Sequence, residues 1–206
     1  MKTKVLSITV SVILCFAVGC GRKESSRDDK SKVVISMYER AIKINPQNDA
    51  AYNGLGMEYG SRGEYDKAIE AFKKAIEINP SESSYYDNLG VVYGNRGDLD
   101  LAIANHLKTL KMNPVSINAL YNLGICYKDT GELLLAIETW KKAQKLSPDN
   151  YLYSYNLGVC YFEIKNYDKA KEEFQKTVEN EATPSEIIAF SKTYLEKLAL
   201  KEQSAK

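Results

Sequence analysis

A pattern that returns every 34 residues constrains this chain more than any other feature. The dipeptide Leu-Gly occurs four times at that interval, starting at Leu55, Leu89, Leu123 and Leu157. A tyrosine and an alanine recur with the same period, at Tyr59, Tyr93, Tyr127 and Tyr161 and at Ala68, Ala102, Ala136 and Ala170. Such a period is typical of repeat architectures, in which one unit cannot bury its own apolar face. The hydrophobic core is therefore expected to form between neighbouring units.

Each unit is predicted to contain two amphipathic helices. In the first unit, Leu55 and Tyr59 are separated by one helical turn, and Ala68, Phe72 and Ala75 follow with helical spacing. A glycine, which adopts the left-handed backbone at little cost, marks the turn between the helices at Gly63, Gly97 and Gly131. The second helix ends before a proline, because the preceding residue is pushed out of the helical region, at Pro80, Pro114 and Pro148. Lys165 replaces the turn glycine in the fourth unit, which predicts that the array ends there.

Two further repeated positions predict how the helices pack. The glycines of the Leu-Gly pairs are small enough to let helix axes approach closely, and a leucine in their place is expected to cost about 1–3 kcal/mol by overpacking. These glycines are Gly56, Gly90, Gly124 and Gly158. The other position holds a bulky aromatic residue at Phe72, Trp140 and Phe174. His106 is the only histidine of the chain and occupies this position in the second unit, so it is predicted to be a packing residue.

The combination of Leu-Gly, Tyr, Ala, an aromatic residue and Pro in a 34-residue frame resembles the tetratricopeptide repeat. This resemblance implies an all-α, right-handed superhelical solenoid of helix-turn-helix repeats. Four units are expected, at residues 49–82, 83–116, 117–150 and 151–184. Residues 33–46 and 185–201 are expected to form capping helices that cover the two ends of the array, because terminal units would otherwise expose apolar surface.

The amino terminus is predicted to be a signal peptide spanning residues 1–19. Lys2 and Lys4 precede an uncharged apolar run that is shorter than the roughly 20 residues a bilayer span needs. Residues 17–20 resemble the lipobox of bacterial lipoproteins, which implies that the Cys20 thiol is acylated. Ala17 and Gly19 also fit an ordinary secretory cleavage, so an unacylated Cys20 is the alternative. Both interpretations start the mature chain at Cys20.

Residues 20–32 are predicted to be a flexible tether. From Gly21 to Ser31 no large apolar side chain is present, so this stretch has nothing to bury. The expected location is the bacterial cell envelope, with the protein anchored to the membrane through the lipid on Cys20 and facing the periplasm or the exterior. A secreted, soluble protein is the alternative.

The resemblance also implies that the first helices of the units line a concave groove that binds a peptide or protein partner. Asparagine recurs in one position of these helices, at Asn88, Asn122 and Asn156. A side-chain amide can both donate a hydrogen bond to a peptide backbone and accept one from it. This arrangement resembles the asparagine ladder in the repeat domain of the transferase that adds N-acetylglucosamine to proteins; the alternative is that asparagine is simply the commonest residue of the family there. The candidate groove residues are Asn53, Asp87, Asn88, Asn118, Tyr121, Asn122, Lys128, Tyr155 and Asn156.

The two tyrosines of this set are expected to anchor the ligand. One net hydrogen bond contributes only about 0.5–1.5 kcal/mol, so three amide rungs cannot offset the cost of ordering a peptide. Tyr121 and Tyr155 are expected to face the groove, because the tyrosine positions of the repeat core are already taken by Tyr127 and Tyr161.

Several other classes of function are not expected. The chain has 28 basic and 27 acidic residues, whereas a nucleic-acid-binding protein needs a clustered basic surplus. Cys126 and Cys160 occupy equivalent positions of adjacent first helices, which lie about 8–10 Å apart and so too far for a disulfide. They are interpreted as small core residues. No catalytic residue, metal, cofactor or small-molecule substrate is expected, and the chain is not expected to be an enzyme.

Three functional hypotheses follow from the sequence. The first is a scaffold of the cell envelope that binds an extended peptide segment of a partner in the groove. The second is a structural assembly factor that uses the convex face or the caps. The third is an accessory subunit of an envelope enzyme.

Overall fold

A computed structural model describes residues 23–204, and these residues form ten α-helices and no strand. The first helices of the four units are α2 (Asp49–Ser61), α4 (Ser83–Arg96), α6 (Ile117–Asp129) and α8 (Tyr151–Glu163). The second helices are α3 (Tyr65–Ile78), α5 (Leu99–Met112), α7 (Leu133–Leu146) and α9 (Tyr167–Glu179). Helix α1 (Lys23–Ile44) precedes the units and α10 (Ser185–Ser204) follows them. The architecture is the all-α, right-handed superhelical solenoid that the repeat predicts.

The helix ends lie where the local sequence predicts them. Asn48 and Ser116 cap α2 and α6, because their side-chain oxygens accept hydrogen bonds from the backbone N–H groups three residues later. The turn glycines have positive φ angles of 74°, 95° and 85° at Gly63, Gly97 and Gly131. Lys165 adopts the same left-handed conformation at 62°, although a side chain makes that conformation costly. The turn geometry of the repeat is therefore kept in the fourth unit without its glycine.

Helix α1 corrects the predicted boundary of the tether. It begins at Lys23, ten residues before the predicted start of the capping helix, so residues 23–32 of the predicted flexible tether are helical. Once a packed helix exists, each further residue adds a hydrogen bond at small entropic cost, and a polar sequence can then extend it. Ser31 is buried and its hydroxyl accepts a hydrogen bond from Arg62 at 3.2 Å, which fastens this extension to the first turn.

The predicted signal peptide, residues 1–19, and the predicted lipidation site, Cys20, lie outside the described residues. Within residues 23–204, no helix combines the length and the apolar character needed to cross a bilayer.

The core lies between the helices of each unit and its neighbours. The first helices of neighbouring units touch each other, α2 with α4 and α4 with α6, more closely than the second helices do. The first helices therefore line the concave side of the solenoid, which we call the groove, and the second helices form the convex face.

The glycines of the Leu-Gly pairs are sites of close approach, as predicted. A Cβ atom added at Gly56 would lie 2.9 Å from the Phe72 ring, and one added at Gly124 would lie 2.7 Å from Cδ1 of Trp140 and nearer still to its Nε1. Phe72 and Trp140 are themselves almost fully buried. A side chain at these glycines would have to displace the aromatic residue of the same unit.

Both ends of the array are covered. Tyr194 of α10 stacks on Phe174 with ring centroids 4.6 Å apart and meets the edge of Phe162 at 5.1 Å. At the other end, Tyr38 of α1 precedes Phe72 by one 34-residue period and packs against Gly54, where an added Cβ would overlap its ring. The aromatic position of the repeat thus continues into the helix before the first unit.

Candidate functional site

The groove contains most of the predicted site residues, because they lie on the inner side of α2, α4, α6 and α8. Asn118 is exposed at the start of α6. Asn53, Asn88, Asn122 and Asn156 are half-buried, so their amides line the wall of the groove and do not project from it. Lys128 forms an ion pair with its neighbour Asp129 at 2.6 Å. Such a partly exposed pair contributes at most about 1 kcal/mol, which leaves the lysine available to a stronger partner.

The asparagine ladder is present, but two of its three rungs are engaged within the protein. The Asn88 amide donates to Oδ1 of Asn53 at 2.9 Å, so these two side chains bridge the first and second units. The Asn156 amide donates to the carbonyl of Leu152 at 2.7 Å. Asn122, the middle rung, lines an open cleft between α4 and α6. A peptide that used all three rungs would have to displace the existing hydrogen bonds of two of them.

The predicted tyrosine anchors are more buried than the sequence predicts. Tyr121 meets the edge of the Tyr153 ring at 6.0 Å, and Tyr155 meets the edge of Phe174 at 6.3 Å. Burial raises the pKa of both phenols, and a hydrogen bond with Asn156 partly offsets that rise for Tyr121. Both rings pack against the core and present only part of their surface to the groove, so they form its floor.

Asp87 is a correction to the predicted set. Its side chain does not face the groove; it is buried, and its Oδ1 lies 2.7 Å from Nδ1 of His106. His106 is only 1% exposed and packs under Gly90, as the aromatic residues pack under the equivalent glycines. A buried imidazole needs a hydrogen-bond partner, and Asp87 supplies one from the first helix of the same unit.

The repeat contained the signal for this pair. The positions of Asp87 and His106 are 19 residues apart, and the same two positions meet in the next units. In the third unit Nε1 of Trp140 donates to the backbone carbonyl of Tyr121 at 3.1 Å, and in the fourth the rings of Tyr155 and Phe174 are in contact. A carboxylate where other units carry an aromatic residue or an amide therefore indicates a polar partner for the histidine.

A cleft of about 400 Å³ opens on the groove between α4 and α6. Gly90, Gly94 and Val91 of α4 form one wall, and Asn122 and Ile125 of α6 form the other; His106 is among the lining residues. The cleft exists because the side chains here are small. A Cβ at Gly94 would meet its nearest neighbours at 3.8 and 4.0 Å, so there is free space beside that glycine.

The remaining candidates for chemistry are sealed in the core. Cys126 and Cys160 are buried free thiols, in agreement with their predicted role as small core residues. Burial raises the pKa of Cys126 to about 11 and that of Cys160 to about 12, which keeps both in the unreactive thiol form. In the described part of the chain, no group of three acidic, His or Cys side chains is placed to hold a metal ion. The arrangement is suited to recognition by hydrogen bonds and shape.

Known proteins share both the repeat and the helical arrangement. Models of the tetratricopeptide repeat family match residues 50–82, 71–104, 88–150 and 127–187. A crystal structure of MamA is similar, with a TM-score of 0.70 and 27% identity over 80% of this chain and 95% of that one. A crystal structure of YrrB, described as "a TPR protein with an unusual peptide-binding site", has a TM-score of 0.68 and 22% identity over 82% and 86% of the two chains. No curated protein matches the sequence.

Proposed function

Because this chain belongs to the tetratricopeptide repeat family, we propose that it is a protein–protein interaction scaffold that binds an extended segment of a partner in its groove. The observation that carries the proposal is the row of half-buried asparagines on successive first helices, with the open cleft at Asn122. The similar fold of YrrB, whose description names a peptide-binding site, makes a peptide the first occupant to test.

The spacing of the rungs suits an extended chain. Packed helices lie about 8–10 Å apart, and an extended peptide rises about 3.3 Å per residue, so each rung meets about every third residue. The existing bonds of Asn88 and Asn156 would be exchanged for bonds to the peptide, at small net gain. Affinity must then come from surfaces that the peptide covers, including Val91, Ile125 and the exposed part of Tyr121.

The scaffold is not an enzyme in this proposal. His106 is held by Asp87 beneath the groove, and the thiols of Cys126 and Cys160 are buried.

The proposed location is the bacterial cell envelope, and the support for it is the lipobox-like sequence at residues 17–20. If Cys20 is acylated, Cys20→Ser is expected to move the protein from the membrane fraction to the soluble fraction. Retention of that variant in the membrane would refute the lipid anchor.

A specific observation favours a second candidate, docking through the convex face. Leu101, Leu107, Leu134 and Leu135 lie on α5 and α7 and are 47%, 46%, 71% and 41% exposed. A groove of about 510 Å³ runs beside Leu107 and Leu135. In the first and fourth units the positions of Leu101 and Leu135 hold lysine, at Lys67 and Lys169. An assembly factor or an accessory subunit would use this apolar surface.

Site-specific photocross-linking in intact membranes distinguishes the two candidates. A benzoylphenylalanine at Asn118 samples the groove, and one at Leu134 samples the convex face. The groove proposal predicts partner adducts from Asn118 that decrease when Asn122→Ala is added, with unchanged helicity by circular dichroism. Adducts from Leu134 alone, unaffected by Asn122→Ala, would refute it and establish the convex face as the interface.

A further inference from the structure

We propose that the convex face of the two middle units is a second binding site, and that it takes an acidic amphipathic helix of a partner protein. The site lies on α5 and α7, and we call it the convex patch; its exposed leucines are Leu101, Leu107, Leu134 and Leu135. This inference goes beyond the groove function and is independent of it. It gives a partner chemistry to the surface that an assembly factor or an accessory subunit would use.

The outward positions of the second helices set the middle units apart from the end units. Where α3 and α9 carry Lys67 and Lys169, α5 and α7 carry Leu101 and Leu135. At the positions of the other two leucines the end units also hold only polar residues, namely Asp66, Lys73, Asp168 and Gln175. The four leucines of the convex patch are each at least 41% exposed. Exposed apolar residues grouped on neighbouring helices indicate an interaction surface.

A recessed apolar groove of about 510 Å³ makes the convex patch suited to a helix. Leu107 and Leu110 of α5 lie on one side of it, Leu135 of α7 lies on the other, and the buried Leu120 and Leu123 of α6 lie beneath. None of its lining residues carries a side-chain amide, so an extended peptide would find few partners for its polar backbone there. A helix satisfies its own backbone groups and needs only an apolar face to fill the recess. The recess also favours a protein over a membrane, because a bilayer covers protruding side chains and not the floor of a groove.

The charges of the convex patch favour an acidic ligand. The C-terminal halves of α5 and α7 contain five exposed lysines and no acid, at Lys108, Lys111, Lys141, Lys142 and Lys145. Among the described residues, Lys111, Lys141 and Lys145 have no ion-pair partner. The end units hold glutamate at the positions of Lys111 and Lys145, at Glu77 and Glu179. Acidic side chains beside the apolar face of a ligand helix would therefore meet opposite charge.

A second copy of this chain is a poorer complement to the convex patch. The acids within α5 and α7 are Asp100 and Glu138, which are two carboxylates against five lysines. Glu138 is already paired with Lys142 at 2.8 Å. Two copies packed through this surface would leave several lysines of each facing like charge.

A phage-displayed library of 16-residue helical peptides, panned on the full chain, tests the inference. One family of selected peptides is expected to carry Leu, Ile or Phe at i, i+3 or i+4, and i+7, with Asp or Glu beside them. Leu101→Lys with Leu135→Lys should weaken binding of this family about tenfold or more, because the apolar contacts of both leucines are lost. Lys111→Glu with Lys145→Glu should weaken it by charge repulsion. Both double variants introduce residues that the end units already carry, so helicity by circular dichroism should not change.

A charge reversal separates charge complementarity from apolar contact alone. A selected peptide whose acids are changed to lysine should bind the Lys111→Glu, Lys145→Glu variant more tightly than it binds the wild type. Lys73→Gln, on the convex face of the first unit, is the matched control and should leave the binding of all selected peptides of this family unchanged. Asn122→Ala, which alters the groove, should also leave it unchanged.

Selected peptides without enriched acids, or binding that survives both double variants, would overturn the convex site. Sedimentation of the free chain as a dimer that Leu101→Lys with Leu135→Lys dissociates would overturn it in favour of a second copy. Pelleting with phosphatidylglycerol vesicles that the same variant abolishes would overturn it in favour of a membrane surface. The groove proposal is tested separately, by the adducts from Asn118 and their response to Asn122→Ala, so either proposal can fail alone.

Discussion

The same substitution, glycine to alanine, is expected to have opposite effects at two glycines of neighbouring first helices. Gly94 of α4 and Gly124 of α6 are both helical. Alanine favours a helix over glycine by about 0.5–1 kcal/mol wherever the added methyl group finds room. Any difference between the two sites therefore measures packing.

The structure gives the magnitude at each site. At Gly94 the new Cβ would sit at ordinary contact distances of 3.8 and 4.0 Å, so Gly94→Ala should stabilise the protein by about 0.5–1 kcal/mol. At Gly124 the Cβ would overlap the fully buried Trp140 ring, whose Nε1 donates to the Tyr121 carbonyl. Overpacking costs about 1–3 kcal/mol and loss of that buried hydrogen bond about 1–3 more. After the helical gain, Gly124→Ala should destabilise by about 1–5 kcal/mol.

Urea unfolding followed by far-ultraviolet circular dichroism measures both changes as shifts of the midpoint at constant slope. Trp140 is the only tryptophan of the chain, so its fluorescence is a local control. Its emission should shift to longer wavelength in Gly124→Ala and stay unchanged in Gly94→Ala. If both variants were stabilised, or if Gly124→Ala lost stability with native Trp140 emission, the reasoning from the close approach would be refuted.

Three further predictions concern a turn, a helix end and the core. Lys165→Gly should raise the free energy of unfolding by about 0.5–1 kcal/mol, because the left-handed strain removed exceeds the added chain entropy; a lower urea midpoint would contradict this. Hydrogen bonds from Asn79 and Tyr85 lower the pKa of Asp49 below its usual 3.8, so its contribution is complete above that pH and is lost as the pH falls through the lower folded value. The stability difference between wild type and Asp49→Asn should accordingly shrink below pH 3.8, and a constant difference would rule the linkage out. The Cys126 and Cys160 thiols, with pKa values of about 11 and 12, should resist iodoacetamide at pH 8 and react in urea, as mass spectrometry of their peptides would show.

The helices that line the groove were predictable from the sequence, but the burial and the hydrogen bonds of its side chains were not. Asn118 is exposed on the first helix where the repeat placed it. Asn53 and Asn88 were predicted as separate contacts, yet they bond to each other across two units. Their positions differ by 35 residues, one more than the period, so equivalence alone did not relate them. Only the stacking of α2 on α4 brings the two amides together.

The sequence by itself determined the number of units, the turns, and the glycine and aromatic positions where helices meet. These features follow from local backbone preferences and from contacts that recur with the period, so the same residue types mark them in successive repeats. The tertiary structure decided where the units differ: the Asp87–His106 pair, the half-buried Tyr121 and Tyr155, and the start of α1 at Lys23. The physical reason is that the contacts of a residue that departs from the repeat depend on its neighbours in space. Those neighbours lie on other helices and are set by the packing. The cleft between α4 and α6, for example, is lined by His106 and Gly94 from two different helices, and neither residue fills it.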